Sequence, residues 1–293
     1  MRSVTGGGDV EIAYRVFDSP GLDDAGAGSA TLVFIHGWAQ SSRAWGDDLL
    51  AGFAGRHRVI AVDLRGHGAS EVAPADAYTA ENFAADLRAV LAAEGVDGRA
   101  VLVGWSYGGL ASCDYFSVYG TDIVDGIVLV GAITSMGRGQ AGGAVGPAMK
   151  SALPEALSED PRTAFRALGS FGTAMIPAGR PELGAMSQQL FGTSLATPPL
   201  VRRALFARSA AYDDLLAGLE IPALIVFGTV DPVVDPSVAQ HVHSLLPRSE
   251  LSLWDGVAHA PFLEDPDRFT DAVEAFVAQV ESAETVANDG SAV

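Results

Sequence analysis

A serine set between glycines at the end of an apolar run is the first pattern in this chain able to do chemistry. Gly104-Trp105-Ser106-Tyr107-Gly108-Gly109 follows the Val- and Leu-containing run 100–103 and precedes an apolar helical stretch over 110–119. A Gly-x-Ser-x-Gly turn between strand and helix presents the serine hydroxyl clear of the backbone. A serine hydroxyl is a poor nucleophile near neutral pH, so this reading requires a histidine base and an acid that orients it. His259 lies in Asp255-Gly256-Val257-Ala258-His259-Ala260-Pro261-Phe262, just past the last apolar run, and is the expected base. Asp231, in Gly228-Thr229-Val230-Asp231-Pro232, immediately follows the run 223–227 and is the expected acid. The order Ser106, Asp231, His259 is the one this type of elbow uses. Asp235 stands before Pro236-Ser237, where an acidic helix cap is ordinary, and Asp255 is the outside candidate. Acyl transfer through such a serine also needs backbone N–H donors for the tetrahedral oxyanion, worth about 3 kcal/mol each. The Tyr107 N–H, at the helix start, supplies one. The Trp38 N–H, in the tight turn His36-Gly37-Trp38-Ala39, supplies the second, and Trp38 and Tyr107 are also the expected substrate-binding residues.

The remaining histidines carry weaker chemistry. His36 and His67 sit in glycine turns and are read as loop braces, His57 starts a strand, and the His241/His243 pair lacks a third ligand, so no metal is expected. Trp105 is read either as a second wall of an acyl pocket or as core packing.

The elements that must hold these residues alternate between short apolar runs and longer amphipathic stretches, as in a mainly parallel sheet crossed by helices. Residues 8–17 read as an edge hairpin strand. Buried strands are expected at 30–35, 57–62, 100–103, 126–130, 223–227 and 250–254, since continuous apolar runs imply burial on both faces. Thr79 caps a helix whose Phe83, Leu87, Val90 and Leu91 recur at helical spacing and which Gly95 ends. Residues 236–246 and 266–280 read as two further crossover helices. Between Val130 and Ala223 lie about 90 residues, far more than an ordinary connection. Helical patterns at 161–171 and 199–216 make this stretch a mostly helical cap, with Gly137, Gly139, Gly142 and Gly143 as hinge candidates and Phe171, Met175, Met186 and Phe191 as candidates to face a pocket. The expected organisation is a core of 1–133 with 220–281, a cap of 134–219 and a disordered tail of 282–293.

Composition excludes several classes. With 36 acidic against 18 basic residues and a net charge of −18, the chain is poorly suited to nucleic acid or an anionic membrane. Cys113 is the single cysteine, so no internal disulfide is possible, and its position seven residues past Ser106 suggests burial behind the nucleophile. No signal-peptide core and no apolar stretch of about 18 residues is present, so a cytoplasmic setting is expected. The triad needs no metal or organic cofactor, the expected partner is a small-molecule substrate, and oligomeric state has no reading in the sequence.

These motifs in this order make the chain resemble the α/β-hydrolase superfamily, over about residues 10–280. The carriers are His36-Gly37-Trp38, the run from Asp63 to Ser70, the Ser106 elbow, Gly228-Thr229-Val230-Asp231 and His259-Ala260-Pro261-Phe262. Within it, the chain is most similar to small carboxylesterases that cleave a pimeloyl acyl-carrier methyl ester and to cofactor-free serine haloperoxidases with perhydrolase activity. The resemblance implies an eight-stranded, mostly parallel sheet flanked by helices, with the cap inserted after the sixth strand. Serine at position 106 separates it from haloalkane dehalogenases and epoxide hydrolases, which carry aspartate there. The expected activity is hydrolysis of a carboxylic ester of a small, largely apolar substrate through an acyl-enzyme. Carbon–carbon bond, lactone or thioester hydrolysis and perhydrolysis use the same triad, and a ligand receptor on the same fold is the non-enzymatic alternative.

Overall fold

The computed structural model describes residues 1–18, 29–177 and 179–289. Eight strands form one sheet in the order β1-β2-β4-β3-β5-β6-β7-β8. They are β1 (Arg2–Thr5), β2 (Glu11–Phe17), β3 (Thr31–Ile35), β4 (Arg58–Val62), β5 (Ala100–Trp105), β6 (Val124–Val130), β7 (Ala223–Gly228) and β8 (Ser249–Trp254). β1 pairs antiparallel with β2 and β2 antiparallel with β4, while every other pair is parallel. The register Val62↔Ile35↔Gly104, with Trp105↔Val130 and Gly228↔Trp254, brings the carboxyl ends of the parallel strands to one edge. The loops that leave this edge carry Ser106, Asp231 and His259, at the end where open parallel sheets generally place their ligand sites.

Two expectations about strands need correction. The edge hairpin strand read over 8–17 is β2 and starts only at Glu11, and its partner β1 left no reading, because β1 is a short polar edge strand with only Val4 partly buried and so leaves no apolar run. The final strand, read as buried on both faces, is an edge strand whose side chains are mostly half-exposed, because nothing pairs beyond it.

Helices α1 (Asp47–Ala54), α2 (Ala80–Ala93) and α3 (Tyr107–Tyr119) lie in the first half. The Thr79 hydroxyl caps α2 by accepting from the Asn82 N–H at 3.3 Å, and Phe83, Leu87, Val90 and Leu91 are all fully buried. Each such side chain contributes about 1.5–3 kcal/mol relative to an exposed one.

Between β6 and β7 run five helices, α4 (Pro147–Ala156), α5 (Pro161–Ala174), α6 (Gly184–Ala196), α7 (Pro199–Phe206) and α8 (Asp213–Ala217). The helical pattern read over 199–216 is split, since Ala210 leaves helical geometry to exchange backbone hydrogen bonds of 2.8 Å with Met136. Gly142 and Gly143, read as hinges, are packed positions: a Cβ on Gly143 would lie 2.3 Å from the Ser135 carbonyl oxygen. Arg202 ties the insertion together, donating to the carbonyls of Ala156 at 2.9 Å and Ser194 at 3.3 Å at the ends of two helices.

After β7 come α9 (Ser237–Leu245), α10 (Pro261–Glu264) and α11 (Pro266–Asp289). Phe269, Val273, Phe276, Val277 and Val280 form the buried stripe of α11. The stretch 282–289, read as a disordered tail, continues this helix to Asp289; residues 290–293 lie outside the described residues.

Candidate active site

Ser106 occupies the turn from β5 into α3 with φ 55° and ψ −116°, a left-handed conformation for a non-glycine residue. Such backbone costs about 1–3 kcal/mol and persists only where neighbours over-determine it. Here they do: the Ser106 N–H donates to the Val130 carbonyl at 3.0 Å, and its own carbonyl accepts from Gly109 and Ile133, each at 3.1 Å. Gly108 must lack a side chain, since a Cβ would lie 2.1 Å from the Ile35 carbonyl oxygen at the end of β3.

His259 and Asp231 come from the loops after β8 and β7 and meet at the same edge. The His259 Nδ1 lies 2.8 Å from Asp231 Oδ2, with both side chains buried. The other carboxylate oxygen of Asp231 accepts from the Val233 N–H at 2.8 Å and the Val234 N–H at 3.0 Å. With both oxygens accepting, the carboxylate is oriented from two sides. The His259 loop is tied to the elbow, because the Trp105 indole N–H donates to the His259 carbonyl at 2.9 Å. Trp105 is fully buried against Trp45 and Phe262, so of its two readings the structure shows core packing. Asp235 accepts from the Ser237 N–H at 3.0 Å, as a helix cap would, and Asp255 accepts from the Thr229 hydroxyl at 3.1 Å; neither contact involves His259.

Sequence reasoning missed Glu264. This buried carboxylate accepts from the Ala258 N–H at 2.9 Å, one residue before His259, and burial raises its pKa to about 6. Its only signal was an acidic residue five places after His259 in an otherwise apolar run.

The first glycine turn packs on the elbow. A Cβ on Gly37 would lie 2.9 Å from Ser106 Cβ, so the turn carrying Trp38 runs directly beside the serine. The Trp38 N–H has no backbone acceptor among the described residues, and the Tyr107 N–H belongs to the first turn of α3, where no intrahelical acceptor exists. His36 supports this turn as a neutral ring. Its Nε2 accepts from the Leu64 N–H at 3.0 Å, so Nδ1 carries the proton and donates to the Gly37 carbonyl at 2.8 Å. Burial lowers the pKa of His36 to about 4 and that of His67 to about 3. Both are braces. Cys113 is buried, and burial pushes its thiol up.

Ser106, Trp38 and Tyr107 line a cavity of about 240 Å³ whose other walls are mainly apolar: Ile133 and Met136 after β6, Val145, Met149 and Leu153 around α4, Phe206 of α7, and Val233 and Val234 of the Asp231 loop. Phe171, Met175, Met186 and Phe191, the expected pocket residues of the insertion, are not among its walls. Phe171 packs edge-on against Trp38, itself a wall of the cavity, at 5.7 Å, and Phe191 packs against the exposed Phe165 at 5.4 Å. The actual walls lie in the first part of the insertion, at Phe206 and in the Asp231 loop, and only tertiary packing reveals that. Among the described residues, no group of three His, Cys, Asp or Glu side chains is placed to hold a metal ion, and no helix is long and apolar enough to cross a membrane.

A strained serine elbow at the carboxyl edge of a mostly parallel eight-stranded sheet defines a fold class, and the family model described as alpha/beta hydrolase fold matches residues 30–266. The chain belongs to the α/β-hydrolase family. It is similar to the crystal structure of an esterase from Rhodococcus sp. ECU1013, with 51% identity and a TM-score of 0.88 over 95% of this chain and 98% of that one. It is 29% identical over 242 residues to the pimeloyl-[acyl-carrier protein] methyl ester esterase of Vibrio vulnificus, covering 81% of this chain and 90% of that protein. The bromoperoxidase of Bacillus anthracis shares the fold, with a TM-score of 0.79 and 24% identity over 94% of this chain and all of that one.

Proposed function

We propose that this chain is a serine hydrolase that cleaves carboxylic esters of small, largely apolar substrates through an acyl-enzyme. The observation that carries the reading is the buried 2.8 Å contact between His259 Nδ1 and Asp231 Oδ2 at the sheet edge that also presents the strained Ser106. Esterase relatives on both sides of the comparison support ester hydrolysis.

In this reading Asp231 holds the proton on Nδ1 of His259, leaving Nε2 as the base. His259 takes the Ser106 proton as Oγ attacks the ester carbonyl, and the N–H groups of Trp38 and Tyr107 receive the oxyanion. The imidazolium then protonates the leaving alcohol, an acyl-Ser106 remains, and a water activated by His259 releases the acid. The balance is ester plus water to acid plus alcohol, with no cofactor or metal. The insertion acts as a cap: Met149 and Leu153 of α4 and Phe206 of α7 roof the chamber and exclude water from the reacting carbonyl. Because none of the cavity's walls is charged, the part of the substrate enclosed there is uncharged.

Ser106→Ala tests the assignment. It should abolish hydrolysis of p-nitrophenyl butyrate and labelling by a fluorophosphonate while the fold persists; retained turnover or labelling would sink it.

A further inference from the structure

The two residues that flank Ser106 are each tethered by one side-chain hydrogen bond. Trp105 is tied to the loop of His259 at 2.9 Å. Tyr107 is tied to the insertion: the Arg208 guanidinium donates from Nη1 to the Tyr107 hydroxyl at 2.8 Å and from Nη2 to Asp114 Oδ1, seven residues along α3, at 2.6 Å. The Tyr212 hydroxyl donates to the same carboxylate oxygen at 2.6 Å. Arg208 also stacks over Phe83 of α2 at 4.9 Å.

This cluster is costly as a purely structural device. The side chains of Asp114 and Arg208 are 0% and 7% exposed, and the second oxygen of Asp114 has no partner. A buried ion pair with an unsatisfied oxygen is often matched or bettered in stability by apolar residues of similar volume. Its geometry serves the elbow. Glycines at 104, 108 and 109 leave the strained turn with few side chains to restrain it, and Tyr107 supplies one of two such restraints. The guanidinium fork is suited to holding a phenol and a carboxylate at once, because its donors are fixed in one plane.

We propose that Arg208 is a positioning residue that, together with Asp114, pins the Tyr107 hydroxyl and thereby holds the strained elbow and the Tyr107 N–H in the geometry needed to receive the oxyanion. The segment that supplies Arg208 is bonded through Ala210 to Met136, a wall of the cavity, so the same clamp couples the insertion to the nucleophile. The inference rests on the assignment of Ser106 as nucleophile.

The test uses the full-length protein with p-nitrophenyl butyrate and a fluorophosphonate. Tyr107→Phe deletes only the tethered hydroxyl and keeps the ring. It should lower kcat about 10- to 100-fold, the scale of a displacement of up to about 1 Å, while KM stays within about threefold. Arg208→Lys, which keeps the charge but not the fork, should do the same. The paired variant Asp114→Leu with Arg208→Met should recover the melting temperature lost by Arg208→Met alone without recovering kcat. Wild-type kcat in Tyr107→Phe, or recovery of kcat together with the melting temperature in the paired variant, would overturn the proposal. Absence of labelling in the wild type refutes the nucleophile itself, whereas equal labelling rates in wild type and Tyr107→Phe refute only the clamp.

Discussion

Asp231→Asn is the most informative single substitution, because the structure dictates which way the new amide must face. Asp231 Oδ1 accepts two backbone N–H groups, from Val233 and Val234, while Oδ2 faces His259 Nδ1. An amide NH₂ turned toward Val233 and Val234 would set donor against donor and leave two buried N–H groups unpaired, at about 1–3 kcal/mol each. The asparagine oxygen therefore stays with the two valines and the NH₂ faces the imidazole. Nδ1 must then accept, the proton moves to Nε2, and the lone pair that would take the serine proton is lost. Restoring the productive tautomer requires the flipped amide, at about 2–6 kcal/mol, which spans a loss from about 30-fold to above 10⁴-fold in kcat. Loss of the charge that stabilises the imidazolium adds to this, so about 10⁴-fold is expected. Steady-state hydrolysis of p-nitrophenyl butyrate measures the loss, and ¹⁵N NMR of the imidazole should report the proton on Nε2. Activity within fivefold of wild type, or an equal loss in Asp235→Asn, would refute the reasoning.

Two further outcomes follow from the same geometry. Gly37→Ala places a Cβ 2.9 Å from Ser106 Cβ and must shift the turn that carries the Trp38 N–H; kcat should fall about 10²-fold with the circular-dichroism spectrum unchanged, and a kcat within twofold would show that this turn is not part of the oxyanion site. The folded chain holds the Glu264 proton up to about pH 6, whereas its ordinary value is 4.5, so this group lowers stability as pH rises between those values, by at most about 2 kcal/mol. Glu264→Gln keeps the acceptor for the Ala258 N–H and removes the titration: its melting temperature should rise relative to wild type between pH 4.5 and 7.5, and a constant difference would refute the assigned cause.

Much of the fold was legible because burial on both faces leaves a mark in composition. β3 to β7 each contain a run of at least four residues drawn from Val, Ile, Leu, Ala and Phe, and the cap at Thr79 with the stripe Phe83, Leu87, Val90, Leu91 located α2 within a residue or two. β1 was not legible because a polar edge strand needs only backbone pairing. Inside the insertion, local pattern misled twice. Residues 199–216 look helical throughout, yet the bridge between Ala210 and Met136 breaks the helix, since a partner distant in sequence supplied its hydrogen bonds. Glycines 142 and 143 look like hinges but are packed, Gly142 against the Thr134 and Ser135 side chains and Gly143 against the Ser135 backbone.

The sequence by itself determined the residue types and their order: a serine in a glycine elbow, an aspartate after one strand and a histidine after the next. Those depend on local turn chemistry and on strand runs that need no partner to be recognised. Only the tertiary structure decided what surrounds them. It set Asp231 against His259 rather than Asp235 or Asp255, because contact across a sheet edge depends on strand register. It put Glu264 behind the His259 loop and chose Met149, Leu153 and Phe206 over Phe171 and Phe191 as walls of the chamber. It also joined Arg208 to Tyr107 across 101 positions of chain. Such contacts are set by how the inserted helices pack back on the sheet, and side-chain type and spacing carry no record of that packing.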